Sequence, residues 1–507
     1  MKPPEIQPQD EHNRALLAHV HPSDWVNPEP RGRYNLVVIG AGTAGLVTAA
    51  LAAGLGARVA LVERHLMGGD CLNVGCVPSK SVIRASRFAA EARRAAALLG
   101  LPALCSAEID FAAAMERMRR IRARIASEDS ARRYRDELGV DVHLGEGRFV
   151  DGESILVADR RLRFRKAVIA TGARATAPPI EGLSEVGYRT NETIFELVAR
   201  PHRLGVIGAG PIGCELAQAF RRLGCEVVLF DQAPQILARE DADAAAIVQE
   251  RFVREGIRLV LEARLEKALR RGGEKVLRVS HAGGSEEIAV DEILVGAGRA
   301  PNVLGLGLEA AGVDFDPRRG VRVDDHLRTT NRRVYAAGDV CMDWKFTHAA
   351  DAAAKIVVQN ALFFPSKRLS SLVMPWCTYT DPEVAHVGLG EREAAARGVA
   401  VDVHRVPLHE VNRAVTDGEE EGFVKILVRR GSDRIVGATI VAAHAGETIS
   451  ELTLAIVAKL GLGTLLGVIH PYPTQAEGIK RAAAAHARSR LTPRLARLLS
   501  GWMALRR

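Results

Sequence analysis

The sequence predicts an α/β protein with two nucleotide-binding units in tandem and a separate α+β region behind them. Three observations carry this. A strand, a glycine-rich turn, a small-residue helix and a second strand ending in an acid follow one another over residues 34–63. The same order recurs over 204–231. Beyond about residue 371 the pattern changes to alternating strands with a Gly-Ser-Asp turn, then an apolar helix.

In YNLVVIGAGTAGLVTAALAAGLGARVALVE the apolar run LVVIG reads as a buried strand. Gly40, Gly42 and Gly45 then form G-x-G-x-x-G. Gly40 permits the tight turn, Gly42 lets a pyrophosphate approach the backbone, and Gly45 lets helix and strand pack closely. The helix start offers unpaired N–H groups to phosphate, and Glu63 can accept from a ribose hydroxyl. In LGVIGAGPIGCELAQAFRRLGCEVVLFD the corresponding residues are Gly208, Gly210, Gly213 and Asp231. The first glycine precedes the acid by the same distance in both units. Two Rossmann-like units imply two dinucleotides, one resident and one exchangeable. Asp231 repels a 2′-phosphate, which favours NAD over NADP.

Residues 68–80 read GGDCLNVGCVPSK. Seven cysteines in 507 residues are too few for a disulfide-stapled secreted scaffold. Cys71 and Cys76 lie just past the first unit's acid and at the start of a predicted helix. That position, with Lys80 nearby, favours a thiolate. No second cysteine pair or adjacent histidine completes a metal-ligand set. The pair reads as a redox-active dithiol fed by a flavin.

With these motifs in place, the chain resembles the class I flavin disulfide reductases over roughly residues 34–482. Its nearest looks are to mercuric reductase-like proteins and dihydrolipoamide dehydrogenase. The resemblance implies FAD and a nicotinamide cofactor. It implies that Cys71 attacks substrate, that Cys76 faces the flavin, and that Lys80 and Glu215 pair beside it. Gly69 lies in the same motif. IATGA (169–173), with Thr171 and Gly172, resembles the exit from the flavin domain, and GAGRAPN (296–302), with Gly298, the return to it. VYAAGDV (334–340) resembles the second flavin motif, in which Gly338 allows close approach and Asp339 binds the ribityl chain. IHPYPTQAEGIKRAA (469–483) carries His470 and Glu477, which the resemblance makes the acid–base and its orienting carboxylate, supplied across a homodimer with shared active sites.

The expected organisation is an N-terminal extension (1–33) of low helix or strand content, an FAD domain (34–178 and 296–370), and an NAD(P) domain (179–295). An interface domain (371–484) and a basic amphipathic tail (485–507) follow. Met115 and Met118 are expected in a core stripe. Cys105, Cys214, Cys225 and Cys341 are expected as buried structural thiols, and Cys377 as a small interface hydrophobe.

Mercuric reductases of the familiar type end in a vicinal cysteine pair. Here the last cysteine is Cys377. The expected activity is therefore NADH-linked dithiol/disulfide exchange, with dihydrolipoamide the best named substrate. A mercuric reductase-like metal or small-oxidant reductase is the alternative. A membrane-associated electron donor is a further one, suggested by leucines and Trp502 at helical spacing among arginines after residue 484. The net charge of +8 is scattered and aromatics are only 5%, which argues against nucleic acid. The N-terminal stretch has no apolar segment behind a basic stub, so a cytoplasmic protein is expected.

Overall fold

The computed structural model describes residues 4–100, 109–281 and 283–507. It resolves into two compact units, one of residues 1–232 and 256–372, the other of 233–255 and 373–507.

The first unit begins with helix α1 (Glu11–Val20), which the sequence reading did not expect. Asp10 caps it by accepting from the Asn13 N–H at 2.8 Å. Leu16 and Val20 are fully buried, and Arg119 donates to Asp10 at 2.5 Å. Trp25 and Asn27 donate to the carbonyls of Val142 and Leu144. The extension is thus an ordered part of the unit. A short polar helix has too little local pattern to be seen without the surface that buries it.

The main sheet has seven strands. Strands β1 (Arg33–Ile39), β2 (Val59–Glu63) and β3 (Asp141–Leu144) lie in the order β3-β2-β1. Strands β4 (Gly147–Asp151), β5 (Ser154–Val157) and β6 (Arg160–Ile169) continue as β6-β5-β4 beside β1. Strand Val334–Ala336 adds parallel to β6. Leu36–Ile39 of β1, Val59–Val62 of β2 and Ala167–Ile169 of β6 are buried and apolar because both faces of the sheet are covered there, whereas the first part of β6, RRLRFRK, alternates charged and apolar residues. A four-stranded parallel sheet follows, in the order 258–260, 226–230, 203–207, 292–295. Helix Pro211–Arg222 connects two of its strands, and an antiparallel three-stranded sheet spans 264–290.

In the second unit five antiparallel strands, 375–378, 383–388, 435–442, 423–429 and 401–407 in spatial order, pack against helices Ala445–Val457 and Glu477–Ser489 over one apolar core. Helix Ala242–Arg254 belongs to this unit. Lys425, fully buried, donates to Asp241, Asp243 and Glu391 at 2.8–2.9 Å and fixes that helix to the sheet.

Met115 and Met118 are buried as expected, as are Cys214 and Cys225. Cys341 and Cys377 are only half-buried. Cys105 lies outside the described residues. Among those residues, no helix is long and apolar enough to cross a membrane.

Candidate active site

The two glycine turns set the site's frame. Gly40 has φ +100°, and a Cβ there would stand 2.3 Å from the Ala170 carbonyl oxygen. A Cβ on Gly45 would meet the Gly40 oxygen at 1.8 Å. Gly213 repeats the second constraint with the Gly208 oxygen at 1.8 Å, and Gly208, at φ +104°, repeats the positive φ of Gly40 with the Ala297 backbone 3.0 Å from a Cβ position. The middle glycines differ. Gly210 has nothing within 4 Å of a Cβ position, and Gly42 has only the Gly69 Cα at 3.7 Å. The polypeptide itself does not require glycine at either place. Each opens helix α2 (Thr43–Gly54) or helix Pro211–Arg222, whose first turns no side chain caps. Uncapped N–H groups behind an open glycine suit a pyrophosphate, so both turns fit a dinucleotide.

Each acid is anchored at its turn. Glu63 accepts from the Ala41 and His65 N–H groups at 2.7 Å, while burial pushes its carboxyl up from the usual range. Asp231 accepts from the Ala209 N–H at 2.6 Å. Thr171 and Asn302 exchange side-chain-to-backbone hydrogen bonds of 2.7 and 2.9 Å, and the Asn302 N–H donates to Gly172. Those bonds clamp the two crossings, at 169–173 and 296–302, together. Next to Gly298, Arg299 contacts Asp70 and lies 3.5 Å from Asp339, whose carboxyl is pushed up by burial.

Cys71 sits in the short helix α3 (Gly69–Asn73), and Cys76 is the first residue of helix α4 (Cys76–Leu98). Both are free thiols within hydrogen-bonding reach of one another. The Cys71 hydrogen bond is the chief influence that brings Cys76 down to about 6, against desolvation and with help from Thr347 and the Lys80 ammonium. Cys71 is correspondingly pushed up by the same bond and by burial. Cys76 is therefore the thiolate of the pair and Cys71 its donor. Thr347, which sequence reasoning passed over, lies 3.2 Å from the Cys76 sulfur and opens the uncapped helix Thr347–Leu362. Its only sequence signal is its place at the start of that helix. Lys80, one turn beyond Cys76, donates to Glu215 at 2.7 Å, as the resemblance implied. Glu215 is buried in helix Pro211–Arg222.

In the second unit the expected pairing of His470 with Glu477 is corrected. The His470 Nε2 is bonded to Glu451 at 3.0 Å, and its side chain is only 7% exposed. Glu477 accepts from Arg481 instead, one turn further along its helix. Helix periodicity places Arg481 over Glu477, whereas the acid that reaches His470 comes from helix Ala445–Val457. The side chain exposed on the loop between Pro471 and Pro473 is Tyr472, at 72%. A carboxylate trio close enough to ligate a cation is formed by Asp241, Asp243 and Glu391, with the Lys425 ammonium already among them.

With this geometry the comparisons decide the family. Residues 34–354 match the pyridine nucleotide-disulphide oxidoreductase family, and residues 374–483 match that family's dimerisation domain. The chain belongs to the pyridine nucleotide-disulphide oxidoreductases. It is 35% identical over 457 residues to a mercuric reductase of Bacillus cereus, covering 90% of this chain and 72% of that protein. It is 32% identical over 456 residues to a dihydrolipoyl dehydrogenase of Chlamydia muridarum, covering 88% and 95%. Among solved structures it resembles the HOCl-induced flavoprotein disulfide reductase RclA of Escherichia coli as its Cu(II) complex. The TM-score is 0.80 at 26% identity, covering 90% of this chain and 100% of that one. It also resembles LpdA of Mycobacterium tuberculosis, with a TM-score of 0.79 at 28% identity, covering 89% and 99%. As a family member the chain is a flavin- and pyridine-nucleotide-dependent oxidoreductase with FAD and a dimerisation domain.

Proposed function

We propose that this oxidoreductase spends NADH to reduce a soft metal ion, held as its thiolate complex, or a comparable small oxidant. In this reading it is a mercuric reductase-like enzyme rather than a dihydrolipoamide dehydrogenase. The observation that carries the reading is the placement of His470. A dithiol substrate needs an imidazole that exchanges protons with it. Here that ring is buried and held by Glu451, and the exposed group on the loop is the Tyr472 phenol. The curated mercuric reductases, at 35% identity, also outrank the dihydrolipoyl dehydrogenase at 32%.

The bound flavin supplies two-electron exchange between nicotinamide and dithiol. The chain's own residues do the rest. The uncapped turns at Gly42 and Gly210 hold the two pyrophosphates, and Glu63 and Asp339 fix the FAD ribose and ribityl hydroxyls. Asp231 takes the nicotinamide dinucleotide's ribose and disfavours a 2′-phosphate. Lys80, held by Glu215, brings a positive charge beside Cys76 that favours its thiolate, while the Glu215 carboxylate opposes it. A thiolate is the ligand a soft ion prefers, and Cys71 supplies the second sulfur. The balance is one NADH and one proton consumed per bis-thiolate mercuric ion, giving metal, NAD and two free thiols. A dimer whose loops, each bearing a Tyr472, complete the partner's site is part of the proposal.

The test is a paired assay with purified holoenzyme. One arm follows NADH oxidation with mercuric ion in excess thiol. The other follows NAD reduction by dihydrolipoamide. Brisk dihydrolipoamide turnover with no metal-dependent NADH oxidation would overturn the proposal.

A further inference from the structure

Helix Pro493–Leu505 is amphipathic, and none of its residues is buried. It is a well-formed helix: Thr492 caps it by accepting from the Leu495 N–H at 3.3 Å, and Pro493 occupies its first position. At about 100° per residue, Leu495, Leu498, Leu499, Trp502, Met503 and Leu505 share one side, with Arg494 at its edge beside Leu505 and Arg497 on the far side. The apolar residues are open to solvent, Leu498 at 72%, Trp502 at 53% and Leu505 at 84%. So large an exposed apolar stripe marks a surface that something covers.

We propose that this helix lies in the surface of an anionic phospholipid bilayer and anchors the protein there. Charge selects the occupant. Between Arg488 and Arg507 there are six arginines and no acidic residue. Arginines beside the apolar face meet lipid phosphates while the leucines enter the acyl boundary. The Arg506 guanidinium stands 4.8 Å over the Trp502 ring, the pairing of cation and aromatic suited to the headgroup level. A second copy of the segment would set arginines against arginines, which disfavours self-association through this face. Thirteen residues are too short to span a bilayer, so the helix lies in the plane of its surface.

The test uses the full holoenzyme and sucrose-loaded vesicles, either phosphatidylcholine alone or phosphatidylcholine mixed with phosphatidylglycerol. The protein is expected to sediment with the mixed vesicles, and about tenfold or more less with phosphatidylcholine alone. Leu498→Glu with Trp502→Glu is expected to abolish sedimentation, and Arg494→Glu with Arg497→Glu to weaken it by at least about tenfold. Both variants should keep the parent's gel-filtration volume and its NADH oxidation in solution. As a measurement free of the apolar-face variants, the emission difference between the parent and Trp502→Phe should shift to the blue when mixed vesicles are added. Three results would overturn the proposal. They are no sedimentation with anionic vesicles, equal binding to both compositions, or a changed oligomeric state in Leu498→Glu with Trp502→Glu, which would give the face to a second copy.

Discussion

Arg122 donates to the Asn73 carbonyl at 2.7 Å with one guanidinium nitrogen and to the Asn13 side-chain oxygen at 2.6 Å with another. Asn73 stands between Cys71 and Cys76, and Asn13 belongs to helix α1. The N-terminal extension is therefore tied to the backbone of the redox loop through one buried arginine. Asn73 is tied from the other side as well, its amide donating to the Met67 and Gly69 carbonyls at 3.0 and 2.9 Å. Replacing Arg122 by alanine leaves a buried carbonyl without its donor and should destabilise the protein by about 1–3 kcal/mol. Urea denaturation checks the magnitude. Asn13→Ala keeps the Arg122 bond to the Asn73 carbonyl but loses the Asn13 bonds to Arg122 and to the Pro8 carbonyl, so it too should destabilise the protein by about 1–3 kcal/mol.

Cys76 should react as a thiolate from about pH 6 upward. Iodoacetamide trapping of the reduced protein against pH should give a midpoint near that value at Cys76, with Cys71 unreactive over the same range. Thr347→Val removes a hydrogen bond to the sulfur and Lys80→Met removes a positive charge, so each should move the midpoint upward. A midpoint unchanged in both variants would disprove the assignment of these groups.

Glu240 is buried, and its Oε1 accepts from the Trp376 indole N–H at 2.6 Å, while its Oε2 has no hydrogen-bond partner among the described residues. Burial is the main cause that pushes this carboxyl up to about 7, opposed by the Trp376 bond. An acid whose pKa is raised on folding favours the folded state at low pH. That advantage is lost as pH rises from the unfolded value, about 4.3, through about 7. Glu240→Gln keeps an acceptor for Trp376 and removes the charge. It should raise the melting temperature at pH 8 and change it little at pH 5. Equal effects at both pH values would exclude this carboxyl as the source.

Under the NADH-linked reading proposed above, Asp231→Ala should raise kcat/KM for NADPH about tenfold relative to NADH as the repelling carboxylate is lost. Because its carboxylate also accepts from the Ala209 N–H at 2.6 Å, Asp231→Asn is the companion variant that keeps an acceptor without the charge. A parent enzyme that already uses both nucleotides equally would refute the role assigned to Asp231.

Under the metal-reduction reading, Glu451→Gln and His470→Ala should leave metal-dependent NADH oxidation within about threefold of the parent, since neither moves a proton to substrate. Tyr472→Phe should lower it further than either does. A loss of about 100-fold or more in His470→Ala would return the imidazole to the acid–base role.

The sequence by itself determined what depends on short-range pattern. Gly45 and Gly213 are demanded by contacts with Gly40 and Gly208 in the same strand–turn–helix unit, and Gly40 and Gly208 by the positive φ of the turn, so their spacing alone places both turns. The Cys71–Cys76 loop at a helix start, with Lys80 one turn on, is legible for the same reason. The tertiary structure decided everything that depends on distant segments meeting. It chose Glu451 rather than Glu477 as the partner of His470, because the loop after Leu466 folds back on helix Ala445–Val457 while Glu477 finds Arg481 on its own helix. It made helix α1 part of the first unit, since ten residues without a strong apolar stripe gain order only from the surface that buries Leu16 and Val20. It also set Thr347 against Cys76 across 271 residues of sequence, a contact that no local periodicity encodes.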